Sequence, residues 1–209
     1  MRKLNFLLIE DEALIREGLR SLLEKETFVK NVFEARNAVE FESHLNSPVD
    51  IAVMDYRLPD TNGLELISML KKDPRDVKII MLTGIEGSEL ILNLLKAGVH
   101  GIIHKLDGYN EIQKAIHAVS ENGSYFPDHI VEVIRTNAHR WDNVPPVVLN
   151  FHEDELLKAI ASGLTTKQIA IQLKMSVSTA ETYRIRLIRK LGVHNTAGLL
   201  AYAYRNGIL

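Results

Sequence analysis

The sequence has 209 residues, 46% hydrophobic and 25% charged, the balance of a packed globular chain rather than a disordered or fibrous one. It holds no cysteine, which excludes disulfides, thiolate metal sites and thiol redox chemistry. The net charge of −2 is unevenly spread: residues 149–209 carry eight Lys or Arg against four Asp or Glu, about +4, leaving about −6 on residues 1–148, so a polyanion suits the tail alone.

Arg2 and Lys3 precede an apolar stretch that stops at Glu10-Asp11-Glu12, too short for a signal peptide. No run reaches the roughly 18 apolar residues a membrane helix needs, so a soluble, cytoplasmic protein with no membrane partner is expected. Residues 4–9, 51–54, 78–82 and 101–103 are short apolar runs, and 31–35 is a weaker fifth. Helical spacing separates them. Leu14, Ile15, Leu19, Leu22 and Leu23 read as one stripe, and further helices are predicted near 37–46, 63–72, 87–97 and 108–121. This alternation predicts an α/β unit, a doubly wound parallel sheet of five strands. Asn62-Gly63 is a turn signal before the third helix, and Gly98 reads as the residue that ends the fourth.

Beyond Gly123 the strand pattern stops. Residues 127–139 look helical, and 140–148, with Trp141, Asp142, Asn143, Pro145 and Pro146, read as an extended linker. From 152 onward only helical periodicity remains, with helices predicted near 152–162, 165–173, 176–191 and 195–206. The expected domains are 1–124, a connecting segment 125–148, and an all-α domain 149–209.

In an open parallel sheet, ligands bind just beyond the carboxyl ends of the strands. There the chain places Glu10 and Asp11 after the first strand, Asp55 after the third, Thr83 after the fourth and Lys105 after the fifth. Three neighbouring carboxylates repel one another, and a hard divalent cation such as Mg²⁺ relieves that repulsion. A carboxylate beside such a cation can attack phosphorus, with Lys105 and Thr83 supporting the product. One acid at a strand end is unremarkable, because loops are wet; five such residues in order on four strands are not.

The stretches LLIEDE, VMDYRLPDTNGLELI, MLTG and GIIHK resemble those of response-regulator receiver domains across about residues 4–121. The resemblance implies a flavodoxin-like receiver with Asp55 as phosphoacceptor. It implies Mg²⁺ held by Glu10, Asp11, Asp55 and the main-chain carbonyl of Arg57, with Thr83 and Lys105 sensing the phosphoryl group. It also implies a sensor histidine kinase as donor. Two positions depart from the pattern: Ile102 stands where many receivers have a switching Tyr or Phe, and Arg57 either tunes dephosphorylation or points to solvent.

In the tail, Ser176 is a candidate N-cap for the helix at 176–191, with Ser178 and Glu181 as the alternative cap. One face of that helix holds Ala180, Leu187 and Leu191 with Arg184 at its edge; the other holds Glu181, Thr182, Ile185, Arg186 and Arg189. An amphipathic helix with a merely solvated basic face would look similar by charge alone. The stretches ELLKAIASGLTTKQIAIQL and MSVSTAETYRIRLIRKLGV resemble the LuxR-type helix-turn-helix over residues 149–209, and the whole chain resembles the NarL/FixJ class. The resemblance implies double-stranded DNA as partner, homodimers on DNA through Leu199, Leu200, Ala203 and Tyr204, and contact with RNA polymerase. It implies base-facing Glu181, Thr182 and Ile185, with Thr166, Lys167, Arg186, Arg189 and Lys190 on phosphates. Glu181 can accept from cytosine, and Thr182 and Ile185 can meet thymine methyls, although Glu181 also suits a helix N-terminus for electrostatic reasons alone.

A regulator without enzymatic turnover is expected. The competing readings are a receiver controlled by a partner or ligand without phosphorylation, and an aspartate-nucleophile phosphatase. Arg57 argues against the phosphatase, since such enzymes place a second acid there. His100 and His104 do not suggest a zinc site, because Gly98 and Gly101 break the helix their spacing would need. Trp141 is expected to pack near the linker, and Tyr202 and Tyr204 to pack rather than stack on bases.

Overall fold

The computed structural model describes residues 3–72, 75–84, 87–121, 123–141, 147 and 149–208. Its contacts divide the chain into two compact units, residues 1–86 with 101–116, and residues 87–100 with 117–209.

The first unit is built on β1 (Leu4–Ile9), β2 (Val29–Ala35), β3 (Ile51–Asp55), β4 (Lys78–Thr83) and β5 (Gly101–His104), paired in parallel in the order β2-β1-β3-β4-β5. The central strands are apolar on both faces, and Phe6–Ile9, Ile51–Met54 and Ile79–Leu82 are all 2% exposed or less. Each large aliphatic side chain so buried contributes about 1.5–3 kcal/mol, which is why these runs become strands covered on both sides. β2 is an edge strand with a half-polar pattern, and it starts two residues before the predicted 31–35. Because parallel crossovers are right-handed as a rule, this strand order places α1 (Ala13–Glu24) on one face of the sheet, and α2 (Ala38–Ser43) and α3 (Gly63–Leu70) on the other. The direction of crossing reverses between β1 and β3, which opens a crevice at their carboxyl ends.

The loop that follows β3 is tightly held. Asn62 caps α3 by accepting from Leu64 N at 3.1 Å and Glu65 N at 3.2 Å, and Gly63 N donates to Tyr56 O at 2.8 Å. A Cβ on Gly63 would stand 2.8 Å from Met81 Cε, the movable end of that side chain, and 3.2 Å from the Tyr56 Cα, so a larger residue here would require the Met81 side chain and the β3–α3 loop to shift. The predicted apolar stripe of α1 needs one correction: Leu14 is 84% exposed. At 100° per residue it lies about 100° from Ile15, whereas Leu19 and Leu22 lie within about 40° of Ile15.

α5 (Tyr109–Ser120) runs from the first unit into the second. The second unit holds α4 (Ser88–Ala97), α6 (Asp128–Thr136), a 3-10 turn at Ala138–Arg140, α7 (Phe151–Ala161), α8 (Thr166–Gln172), α9 (Val177–Lys190) and α10 (Thr196–Arg205). Gly98 ends α4 in the left-handed region at φ 87°, as predicted. The contact-based division is not the motif-based one of 1–124, 125–148 and 149–209. α4 and residues 117–124 group with the later helices, where Asn195 Nδ2 donates to Leu95 O at 2.8 Å and Tyr125 N to His100 O at 2.8 Å. Trp141 lies against α4 with the Lys96 ammonium 5.9 Å from its ring centroid. The linker residues Asp142, Asn143, Pro145 and Pro146 lie outside the described residues.

Side-chain caps start the C-terminal helices in turn: Asn150 with Glu153 for α7, Thr165 with Gln168 for α8, Ser176 for α9 and Asn195 for α10. Of the two caps weighed for α9, Ser176 is the one formed, accepting from Thr179 N at 3.0 Å. Leu156, Leu157, Ile160, Ile169, Ala180, Leu187, Leu191, Leu199, Tyr202 and Ala203 form one core under these helices.

Candidate functional site

The crevice beyond β1 and β3 holds a cleft of about 250 Å³ lined by Asp11, Glu12, Asp55, Tyr56, Arg57, Thr83, Gly84 and Lys105. Asp55 is the last residue of β3 and is 6% exposed; Glu10, directly after β1, is 1% exposed. The Lys105 ammonium donates to Asp55 Oδ2 at 3.0 Å, to Glu10 Oε1 at 3.1 Å and to Glu12 Oε1 at 3.3 Å. Glu10, Asp11 and Asp55 each offer a carboxylate oxygen within 4.8 Å of the other two. Thr83 ends β4, 3% exposed, and lines the same cleft. All five residues named at the strand ends therefore meet in one place.

Burial is the main influence raising the Glu10 pKa, with the Asp55 charge adding to it and Lys105 opposing both. For Lys105, burial alone would lower the pKa. Its hydrogen bonds to Glu10 and Asp55, together with their charges, outweigh burial and hold the ammonium above the ordinary lysine range. The donor set fits a magnesium ion. All three acids are hard oxygen ligands, and the buried Glu10 Oε2 has no hydrogen-bond partner. That oxygen also lies 3.0 Å from Lys105 Nζ as an ion pair, while the hydrogen bond goes to Oε1 at 3.1 Å.

Two contributors escape the strand-end rule. Glu12 takes the third proton of Lys105, and its signal was the third acid of the Glu10-Asp11-Glu12 run. Arg16 donates to the main-chain oxygens of both Glu10 and Asp11, and no residue-type pattern announces a bond to backbone carbonyls. Arg57 is exposed at the cleft, and Ile102 is fully buried in β5, paired in register with Met81.

In the second unit, Thr182, Ile185, Arg186 and Arg189 are exposed on α9, while Glu181 is half-buried. Val177, 43% exposed, precedes Glu181 by four residues and Ile185 by eight, and so extends the same flank with a second apolar group. Three assignments change. Thr166 is 1% exposed and accepts from Arg184 Nη1 at 3.3 Å, so its hydroxyl faces inward. Leu199 and Ala203 are fully buried in the core of their own chain and cannot also form a dimer face, and Leu200 is 4% exposed. Tyr204 keeps a partly exposed ring. Lys167 and Lys190 are exposed but paired, with Glu121 and Glu153 respectively.

Comparison with known proteins agrees with this geometry. Residues 6–117 match the model of the response regulator receiver domain, and residues 148–203 that of bacterial regulatory proteins of the luxR family. The chain is a response regulator of the NarL/FixJ class. This regulator is 32% identical to a putative transcriptional regulator of Pseudomonas aeruginosa over 97% of its own length and 98% of that protein's. It is 30% identical to the response regulator UvrY of Escherichia coli, over 98% and 95% of the two chains. Its fold is similar to that of RcsB from Salmonella enterica serovar Typhimurium, solved on promoter P1flhDC with a phosphomimetic, with a TM-score of 0.61, 23% identity, and 97% and 98% coverage. The regulator thus joins a receiver to a DNA-binding domain that acts in transcription. Among its described residues, no helix is long and apolar enough to cross a membrane.

Proposed function

We propose that this response regulator takes a phosphoryl group on Asp55 from a sensor histidine kinase and thereby gains affinity for DNA. The observation that carries the reading is the Lys105 ammonium shared between Asp55 and Glu10, with Asp11 completing a group of three acids whose carboxylate oxygens lie within 4.8 Å of one another. An Asp55 carboxylate oxygen attacks phosphorus, an O–P bond forms, and the P–N bond to the donor imidazole breaks, leaving that imidazole to take up a proton. Glu10, Asp11, Asp55 and the Arg57 main-chain carbonyl would hold a magnesium ion, which would supply the positive charge that phosphoryl oxygens need. Lys105 then exchanges a carboxylate for a phosphoryl oxygen. Glu12 is the partner it gives up most cheaply, because that side chain is 62% exposed and regains water. Thr83 supplies a hydroxyl from the end of β4.

The acid-rich rim also fits a protein donor. Leu14 and Leu106, 84% and 85% exposed, follow Glu12 and Lys105 along the chain and give a kinase apolar surface beside the acceptor. On the DNA side, Arg186 and Arg189 meet phosphates, while Thr182, Ile185 and Glu181 face bases in the major groove. Two copies bind through the parts of α10 left uncovered, Tyr204 first, and such a dimer in the cytoplasm engages RNA polymerase. The test is incubation with acetyl phosphate and Mg²⁺, with mass measurement of Asp55 and DNA affinity before and after. Modification of Asp55 with a gain in affinity is expected; modification elsewhere, or none, ends the reading.

A further inference from the structure

We infer that Arg16 is the positioning residue of the metal site, holding the backbone that aims Glu10 and Asp11 at the cation. The inference rests on the reading of Glu10, Asp11 and Asp55 as a magnesium site. Arg16 lies in the first turns of α1 with its side chain 12% exposed. Its Nη1 donates to Glu10 O at 2.9 Å and to Asp11 O at 3.2 Å. Its Nε lies 3.3 Å from Glu34 Oε2 on β2. One planar group thereby ties together the end of β1, the turn that follows it, α1 and the neighbouring strand.

The tie bears on the metal because of where it acts. Glu10 and Asp11 are consecutive residues just past the end of a strand, and Glu10 N is the last donor there to a neighbouring strand, bonding Ala35 O at 3.0 Å. Beyond it, the peptide planes of Glu10 and Asp11 set the directions of their Cα–Cβ bonds. Side chains of adjacent residues in extended chain point to opposite sides. Bringing both carboxylates to within 4.8 Å of Asp55 therefore requires the chain to turn at this point and to hold the turn. Arg16 clamps the two carbonyls that define it. A guanidinium suits the task where an ammonium does not, because its fixed fork serves two carbonyls from one nitrogen and a carboxylate from another. Glu34 offsets the Arg16 charge, and it also pairs with Arg20, so the effect on the site is through geometry rather than added positive charge.

The test is titration of the full-length protein with Mg²⁺ by calorimetry, together with the rate of Asp55 phosphorylation by acetyl phosphate as a function of Mg²⁺ concentration. The proteins compared are wild type, Arg16→Gln, Arg16→Lys and Glu34→Gln, each checked for folding by circular dichroism. The expected result for Arg16→Gln is a Mg²⁺ dissociation constant raised about tenfold, the order seen when a group orienting a metal ligand is lost. Its phosphorylation rate at saturating Mg²⁺ stays within about twofold of wild type. Arg16→Lys lies nearer to Arg16→Gln than to wild type, and Glu34→Gln, which keeps the clamp but loosens its other end, gives a smaller rise. A folded Arg16→Gln that binds Mg²⁺ as tightly as wild type, or more tightly, overturns the inference. So does a rate that falls at every Mg²⁺ concentration with an unchanged dissociation constant. If Arg16→Gln fails to fold, an unchanged constant in Glu34→Gln overturns it equally. Wild type that binds no Mg²⁺ at millimolar concentration would overturn the metal-site reading instead.

Discussion

An ammonium has three protons, and in this pocket each meets a different carboxylate: Asp55, Glu10 and Glu12. Removing one partner of a buried charge pair costs about 3–5 kcal/mol, because the other is left uncompensated. Lys105→Met is therefore expected to destabilise the metal-free protein by an amount near the lower end of that range, since the cleft admits some water. Millimolar Mg²⁺ should recover much of the loss, and thermal melts with and without Mg²⁺ measure both. Glu10 behaves differently. Its folded pKa is raised by burial, so its proton favours the folded state. The stability it contributes is present below the ordinary glutamate pKa and is lost as pH rises through the raised value. At pH 7 the ionised group is a net cost. Glu10→Gln in a chelator should accordingly melt higher than wild type at pH 7, by on the order of 1 kcal/mol, with the difference vanishing near pH 4. A variant that melts lower at pH 7 would show that the Lys105 attraction outweighs desolvation.

Among elements, α7 shows what a cap contributes and how it responds to acid. Asn150 accepts from Glu153 N, Glu153 accepts from Asn150 N at 2.8 Å, and Lys190 of α9 reaches the same carboxylate. The Lys190 hydrogen bond is the first cause of a lowered Glu153 pKa, and the Asn150 N–H is the second. A lowered folded pKa contributes stability that is present above the ordinary glutamate value and lost as pH falls through the lowered one. Glu153→Gln should thus cost about 0.5–1 kcal/mol at pH 7, after allowance for solvent screening, and nothing in acid; urea melts at the two pH values decide it. The strands and helices were legible because buried runs, 3.6-residue periodicity and caps such as Asn62 and Ser176 are local signals. The pocket was legible because strand ends at a direction reversal converge by topology, whatever the loops do. Thr166, Leu199 and Ala203 were misassigned for the opposite reason: a residue's place in a family motif does not say which side of its helix the chain's own core claims. Arg16 was invisible because the partners that tie it to the pocket are the main-chain oxygens of Glu10 and Asp11, which every residue carries.

At the scale of the whole molecule, the reading requires that events at the acidic cleft and binding by the basic helices depend on each other, and two predictions probe the ends of that dependence. At the cleft, Leu14→Ser with Leu106→Ser should slow phosphotransfer from a histidine kinase tenfold or so, the effect of losing about 1.4 kcal/mol of apolar contact, and leave labelling by acetyl phosphate unchanged. Equal slowing with both donors would place the two leucines in the chemistry rather than in docking. At the other end stands Glu121. Its Oε1 lies 3.1 Å from Lys167 Nζ, and its Oε2 accepts from Thr165 Oγ1 at 3.2 Å. On the proposed reading Lys167 meets a DNA phosphate, and the Glu121 carboxylate that now holds it would then stand in for that phosphate. On that reading DNA would have to displace Glu121, and the displacement would lower the affinity of this conformation by the difference between the two partners. Glu121→Gln should raise affinity for a non-specific duplex about three- to tenfold and steepen the salt dependence by roughly one counterion. Removing any nearby negative charge would also raise affinity, so the deciding measurement is the same substitution in a Lys167→Met background. If Glu121 acts by holding Lys167, the gain disappears there, because coupled residues are not additive. If the gain persists undiminished, Glu121 repels DNA at a distance and the pairing with Lys167 has no part in controlling binding.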